Sequence, residues 1–340
     1  MTGNTTFRHH NAALLSVAEV TAPVPVPSSE FDRVLAPTLK RLRLPQGLLE
    51  RVAGVTERRN WHDSGDFQAG AVEAGEKALA EAGIRPDQVG LLINTSVTRE
   101  NLEPSVAVAI HHGLGLQPGA MNFDITNACL GFVNGMTLAA TMIDSGQIDY
   151  ALIVDGEDAA KVQQATLNRL NEPQITRDEF MNEFASLTLG SGAAAAVIGP
   201  ADRHPEGHRI KGGIARAGTE HHELCVGDHK GMFTNAKALL ENGMKLVVAA
   251  WREAQQEWDW RQMDRYVMHQ VSHIHTDAIV KAIDLIRDRV PLTYPKLGNV
   301  GPASLPITLA RETQNLQPGN RVLCMGVGSG INTAMTEIVW

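Results

Sequence analysis

The chain carries three cysteines, Cys129, Cys225 and Cys324, and each sits in a different setting. Cys129 follows an apolar run that ends at Asn127 and Ala128. It precedes a helical pattern with Gly131 and Gly135 on closely spaced turns. A thiol at a strand-to-helix turn meets the helix dipole and unpaired backbone N–H groups, which favour the thiolate. A thiolate is the species that attacks a thioester carbonyl. The same position also suits a small buried hydrophobe, as most free cysteines are. Cys324 lies inside the apolar run RVLCMG and reads as core. Cys225, in HHELCVGDH, stays open: His221 and His222 beside it hint at a metal, but a four-ligand spacing is lacking. No CxxC pair is present, and an odd, sparse count fits a reducing cytosol rather than a disulfide framework.

Four further segments carry chemistry. In MHQVSHIH, His269 ends a β-like run, where open α/β sheets present functional groups, and His273 and His275 follow on the next turn or helix. A structural hydrogen-bonding role serves a lone histidine equally well. In PKLGNVGPASLPITLA, glycines flank Asn299 and allow close backbone approach to a ligand, although Gly-Asn is also a common turn. In GVGSGINTAM, Gly326, Gly328 and Gly330 follow a strand. The spacing is not that of a nucleotide-binding loop, and backbone N–H donation to an oxyanion is a better use. In RENLEPSVAV, Glu103 precedes Pro104 and a helical run, and alone it reads as a first-turn glutamate on a helix dipole.

Short β-like runs must position these groups. They cover residues 89–94, 121–125, 150–154, 193–198, 266–269 and 321–327. Between them lie amphipathic stretches at 69–82, 105–112, 131–145, 239–256 and 276–287. Strand then helix, repeated, predicts an α/β architecture with buried strands. The chain also repeats weakly. Residues 90–110 share a rhythm with 265–283, and 150–159 with 321–330, which makes a duplicated half plausible. The division expected is an N-terminal half over 1–200 carrying Cys129 and a C-terminal half over 201–340 carrying His269 and Asn299. The polar, helical segment at about 160–185 has no counterpart in the second half. It reads as an insertion forming a lid, a dimer contact or a pocket wall.

At 340 residues and 43% hydrophobic content the chain can bury a large core. The net charge of −8, without a basic run, argues against a general nucleic-acid binder. A few local arginines could still hold an anionic ligand. The N-terminal residues lack the apolar stretch of a signal peptide, and no apolar run approaches the length that spans a bilayer. A cytoplasmic protein is the expectation.

Taken in order, Cys129 at its turn, His269 in HQVS, Asn299 in GNVGPAS and the terminal GVGSG resemble the thiolase superfamily, in its ketoacyl synthase III-like branch. The segments GLLINTSVTRENLEPS, FDITNACLGFVNGM, DYALIVDGE, ASLTLGSGAAA and the closing VW are most similar to the OleA-type acyl-CoA condensing enzymes of long-chain olefin biosynthesis. The resemblance spans essentially the whole chain. It implies a five-layered αβαβα fold of two duplicated halves and a homodimer, with downstream pathway enzymes as further partners.

Carried over, Cys129 matches the acylated nucleophile, and His269 and Asn299 match the pair that polarises the second thioester as an enolate. Glu103 matches a glutamate that reaches into the partner subunit's site as a base. Backbone N–H groups of Cys129 and of Ser329 and Gly330 would form the oxyanion hole. Arg58, Arg59 and Trp61 match the region that meets the CoA nucleotide, Arg for phosphate and Trp for stacking, with surface salt-bridging as the plain alternative. Neither cofactor nor metal is implied, only CoA thioesters as substrates. A degradative thiolase usually has a second catalytic cysteine in the terminal glycine loop, and this loop has none. A condensation of two plain acyl-CoAs must remove an α-proton, which needs a positioned base. The expected activity is therefore a non-decarboxylative Claisen condensation. Decarboxylative condensation with a malonyl-thioester is one alternative, and a non-catalytic scaffold subunit is another.

Overall fold

The computed structural model describes residues 5–63, 65–228 and 231–340. Among them the strands are β1 (Thr6–Arg8), β2 (Ala12–Thr21), β3 (Val24–Pro27), β4 (Glu57–Asn60), β5 (Leu91–Asn94), β6 (Met121–Asp124) and β7 (Ala151–Glu157). They continue as β8 (Gly192–Pro200), β9 (His208–Ala217), β10 (Cys225–Asp228), β11 (Gly231–Thr234), β12 (Arg265–Met268), β13 (Arg321–Gly328) and β14 (Asn332–Val339). The helices are α1 (Ser28–Arg41), α2 (Leu48–Ala53), α3 (Asp66–Ala82), α4 (Val106–Gly113), α5 (Gly131–Asp144) and α6 (Ala160–Leu170). The rest are α7 (Arg177–Glu183), α8 (Ala236–Ala254), α9 (His273–Ala282), α10 (Tyr294–Leu297) and α11 (Ser304–Glu312).

The main sheet runs in the order β12-β13-β14-β9-β2-β8-β7-β5-β6, with β1 added on β9. Successive strand residues point to opposite faces, so strands buried on both sides serve two cores at once. Leu91 and Ile93 of β5 pack against α5, whereas Leu92 between them packs against α3 and α4. Val322 and Cys324 of β13 likewise face α5 and α11, whereas Leu323 and Met325 face α8. Strands of both halves thus close on α5 and α11. The layers are α3 with α4, a first half-sheet, α5 with α11, a second half-sheet, and α8 with α9. This is the expected αβαβα order.

The halves meet at a short seam, where β2 pairs with β9 only at Ala13↔Arg209 and Leu14↔His208. In the first half β5 is parallel to β7, and β8 lies antiparallel to both β7 and β2. In the second half β12 is parallel to β13, and β14 lies antiparallel to both β13 and β9. The two segment pairs with a shared rhythm fall on β5–α4 and β12–α9, and on β7 and β13. The same pairing pattern thus occurs twice, and residue 200 is the last of β8.

The inserted segment forms α6 and α7. Their residues Leu167, Leu170 and Phe180 pack with Phe31, Leu35 and Leu39 of α1 and with Leu49 of α2. Just beyond this segment the chain makes a close backbone approach. Gly190 lies against the end of α10, where an added Cβ would stand 1.9 Å from the Leu297 carbonyl oxygen. Gly190→Ala should therefore destabilise the protein by about 1–3 kcal/mol or more, read as a lowered melting temperature.

Candidate active site

Cys129 is placed by contacts around its turn. After β6 the chain turns through Ala128, which adopts a left-handed backbone at φ 45°. Helix α5 starts at Gly131, and a Cβ there would stand 2.8 Å from the Thr95 carbonyl oxygen. Glycine lets the helix begin hard against the end of β5. From the other side, Gly328 closes on the turn, its added Cβ meeting the Asn127 carbonyl at 3.2 Å and the Cys129 nitrogen at 3.5 Å. The Asn127 side chain donates to Asn134 at 2.8 Å and accepts from Asn332 at 3.3 Å, tying the turn to α5 and β14.

His269 immediately follows β12, and its N–H donates to the Met325 carbonyl at 2.9 Å, continuing the parallel pairing. Next to it the Gln270 side chain donates to Met268 O at 2.9 Å and accepts from Thr293 N at 2.8 Å. The strand end is thereby locked to the loop before α10. Asn299 is clamped through its backbone, donating to Thr188 O at 2.9 Å and accepting from Gly190 N at 2.9 Å. Its side-chain Oδ1 accepts from Gly301 N at 3.0 Å, which presents Nδ2 as the donor end.

Cys129, His269 and Asn299 line one cavity of about 910 Å³, together with Ser329. An apolar limb of the same cavity is lined by Leu239, Leu240, Met244 and Val247 of α8 and Ile279 of α9. Lys161, Val162 and Ala185 also line it, so the inserted segment contributes a wall. Cys225 belongs to this wall too, its sulfur 3.4 Å from the Thr234 hydroxyl. Cys324 is fully buried in the core. Among the described residues no cluster of His, Cys, Asp and Glu could hold a metal ion, and no helix is long and apolar enough to cross a membrane.

The electrostatics correct one expectation. Burial pushes the Cys129 thiol well above its ordinary range, and Cys225, Glu157 and Asp155 add to the effect. The helix N-terminus does not prevail, because Cys129 precedes the first helical residue and two carboxyls stand nearby. The resting Cys129 side chain is a thiol. Alkylation of Cys129 by iodoacetamide should accordingly be slow at pH 7 and keep rising beyond pH 9, as pH-dependent labelling followed by mass spectrometry would show. A plateau below pH 8 would mean an activated thiolate. Burial, with His275 second, lowers the His269 imidazole to about 3, so it is neutral at pH 7 and offers one donor and one acceptor.

Other expected residues fall elsewhere. Glu103 is exposed and does not line its own chain's cavity, whereas Leu102 beside it, 87% exposed, does. Gly330 is also off the cavity wall. The assignment of Arg58, Arg59 and Trp61 to the nucleotide is not supported by their placement. Arg58 is fully buried, 4.6 Å over the Phe31 ring, and donates to the Ser28 hydroxyl at 2.9 Å. Arg59 points away from it, donating to the Pro23 carbonyl at 3.3 Å. Adjacent residues of a strand face opposite sides, so β4 cannot aim both guanidinium groups at one phosphate. Trp61 packs against Gly70 and donates to the Glu157 carbonyl at 2.9 Å.

The sequence reading missed Asp155 and Glu157. Both are buried, and Glu157 lines the cavity. Burial raises the Glu157 carboxyl to about 7 against the opposing pull of its hydrogen bonds from Thr98 and Val97. Burial, and then Glu157, hold Asp155 well above the usual carboxylate range. The available signal was two carboxylates at i and i+2 in an otherwise apolar strand.

The model of 3-oxoacyl-[acyl-carrier-protein] synthase III matches residues 123–212, and that of its C-terminal part matches 254–340. The first segment holds Cys129, and the second holds His269 and Asn299. An acyl-CoA:acyl-CoA alkyltransferase of Xanthomonas campestris is 42% identical over 334 residues, 97% of this chain and 99% of that protein. The chain belongs to the OleA family of acyl-CoA:acyl-CoA alkyltransferases, within the thiolase superfamily. A second OleA-family relative, from Shewanella oneidensis, is 35% identical across 98% of this chain and 100% of its own. A crystal structure of Xanthomonas campestris OleA with bound lauric acid and lauroyl-CoA superposes with a TM-score of 0.95 at 41% identity, covering 97% of this chain and 99% of that one. Membership in the OleA family makes this chain an acyltransferase, and Glu103 lies outside both synthase III segments.

Proposed function

We propose that the protein joins two acyl-CoA molecules by a non-decarboxylative Claisen condensation. The observation that carries this reading is the one cavity that Cys129, His269 and Asn299 share with an apolar limb from α8 and α9. Such a limb suits an acyl chain, and a neutral imidazole beside an amide donor suits an enolate oxygen. The lauroyl-CoA bound in the Xanthomonas relative supports the substrate class.

In the first step the Cys129 sulfur, giving up its proton, attacks the first acyl-CoA carbonyl, and CoA leaves as the thiol. The backbone N–H groups of Cys129 and Ser329, both on the cavity wall, hold the oxyanion. A second acyl-CoA then loses an α-proton to Glu103 of the partner subunit, and His269 and Asn299 hold the enolate oxygen. The α-carbon attacks the Cys129 thioester. A C–C bond forms, the C–S bond to Cys129 breaks, and a 2-alkyl-3-oxoacyl-CoA is released, giving a β-keto acid on hydrolysis. Such a product suits the start of long-chain olefin biosynthesis. The scheme takes a homodimer, which the exposure of Glu103 and its absence from its own chain's cavity lining support.

The test is incubation of the purified protein with a single saturated acyl-CoA. A β-keto acid, or the ketone left by its decarboxylation, is expected without any malonyl-thioester. Product that forms only when malonyl-thioester is added would overturn the proposal in favour of decarboxylative condensation.

A further inference from the structure

The loop of residues 97–105 carries Glu103, and a carboxylate holds each end of it. At its far end, Asp124 of β6 accepts from the N–H groups of Val106 at 3.0 Å and Ala107 at 2.9 Å, capping α4. At its near end, Glu157 of β7 accepts from the N–H groups of Val97 at 2.6 Å and Thr98 at 3.1 Å, and also from the Thr98 hydroxyl. That hydroxyl in turn accepts from Asp158 N at 3.0 Å. On its other side the Glu157 carboxyl abuts Gly301, where an added Cβ would stand 3.4 Å from its Cδ. Gly301 is the residue whose N–H fixes the Asn299 side chain. One carboxyl therefore touches both the root of the base-carrying loop and the turn that orients the enolate donor.

A buried ionisable group costs stability unless its hydrogen bonds compensate. Glu157 is 6% exposed and stands beside Asp155, a second buried carboxyl. An apolar residue would fill this position at lower cost, but could not accept three hydrogen bonds from the loop.

We propose that Glu157 is a positioning residue for proton abstraction: it fixes the 97–105 loop so that Glu103 meets the α-carbon of the second acyl-CoA. It takes no part in acyl transfer to Cys129. This inference rests on Glu103 as the base. A base displaced by about 1 Å loses about a hundredfold in rate, so the loop root is a sensitive place to intervene.

The experiment compares native protein with Glu157→Gln and Thr98→Val, reading two half-reactions. Cys129 acylation is followed by intact-protein mass after mixing with acyl-CoA, and condensation by product formation. Glu157→Gln should leave acylation unslowed and reduce condensation about ten- to a hundredfold. The primary isotope effect with α-deuterated acyl-CoA should rise, because proton abstraction becomes the slow step. Thr98→Val breaks the same contact from the loop side and should give the same split at smaller size. Condensation within twofold of native in both variants overturns the proposal. So does a parallel fall of acylation and condensation, which is what general damage to the site would produce. Glu103→Ala separates the two ideas. If it condenses at the native rate, the base assignment fails whatever Glu157 does. If it is inactive while Glu157→Gln is native, only the positioning role fails.

Discussion

Replacing Cys129 with alanine is expected to abolish both halves of the reaction. No acyl mass should add to the protein after mixing with acyl-CoA, and condensation should fall at least about a thousandfold, because the covalent intermediate cannot form. The fold should survive. The Cys129 side chain lines a cavity, alanine adds no atom that a neighbour must yield to, and the turn is held by Gly131, Gly328 and the Asn127 side chain rather than by sulfur. The alternative thiol in the same cavity, Cys225, should not take over. It sits on the β10–β11 hairpin against Thr234, not at the strand-to-helix turn that carries Cys129. Cys225→Ala should remain acylated on Cys129, which distinguishes the nucleophile from its neighbour. Acylation that persists in the Cys129→Ala protein would remove the nucleophile assignment.

Glu103→Ala has the second largest expected effect. General-base catalysis contributes about 10²–10⁴-fold, so condensation should fall by that factor while Cys129 acylation proceeds normally. The exposure of Glu103 adds a sharper expectation. If the carboxylate acts across a dimer, each site combines Cys129 from one subunit with Glu103 of the partner subunit. Mixing the inactive Cys129→Ala and Glu103→Ala proteins should then restore activity. Each mixed dimer holds one site with both groups intact, so random exchange gives about a quarter of the native activity. Complementation fails if both groups act within one chain, and the kinetics of mixing would reveal this directly.

The site was more legible than the frame around it. Cys129, His269 and Asn299 could be picked out because each follows an apolar run at a glycine-marked turn, and turns at strand ends are where α/β sheets present chemistry. The frame was harder. Strand β2, central to the sheet, reads AALLSVAEVT, with both faces buried and no alternation to announce it. Strand β14 mixes threonine with alanine and was equally silent. The helix expected over 276–287 runs earlier, from His273 to Ala282, because Ser272 caps it by accepting from His275 N. Arg58 was misjudged for a related reason. Residue type suggested a phosphate, but β4 pairs with β3 and turns Arg58 inward onto Phe31. Glu157 was overlooked because its carboxylate serves other parts of the chain, and such service is visible only when residues 60 positions apart meet.

The direct test of the central claim is the fate of carbon in the condensation. Acyl-CoA labelled with ¹³C at its carbonyl carbon is supplied as the sole substrate, and the product is trapped before its carboxyl group is lost. A non-decarboxylative union of two acyl-CoAs keeps both labelled carbons, one in the ketone and one in the carboxyl group. Product that requires unlabelled malonyl-thioester and carries a single label would contradict the account.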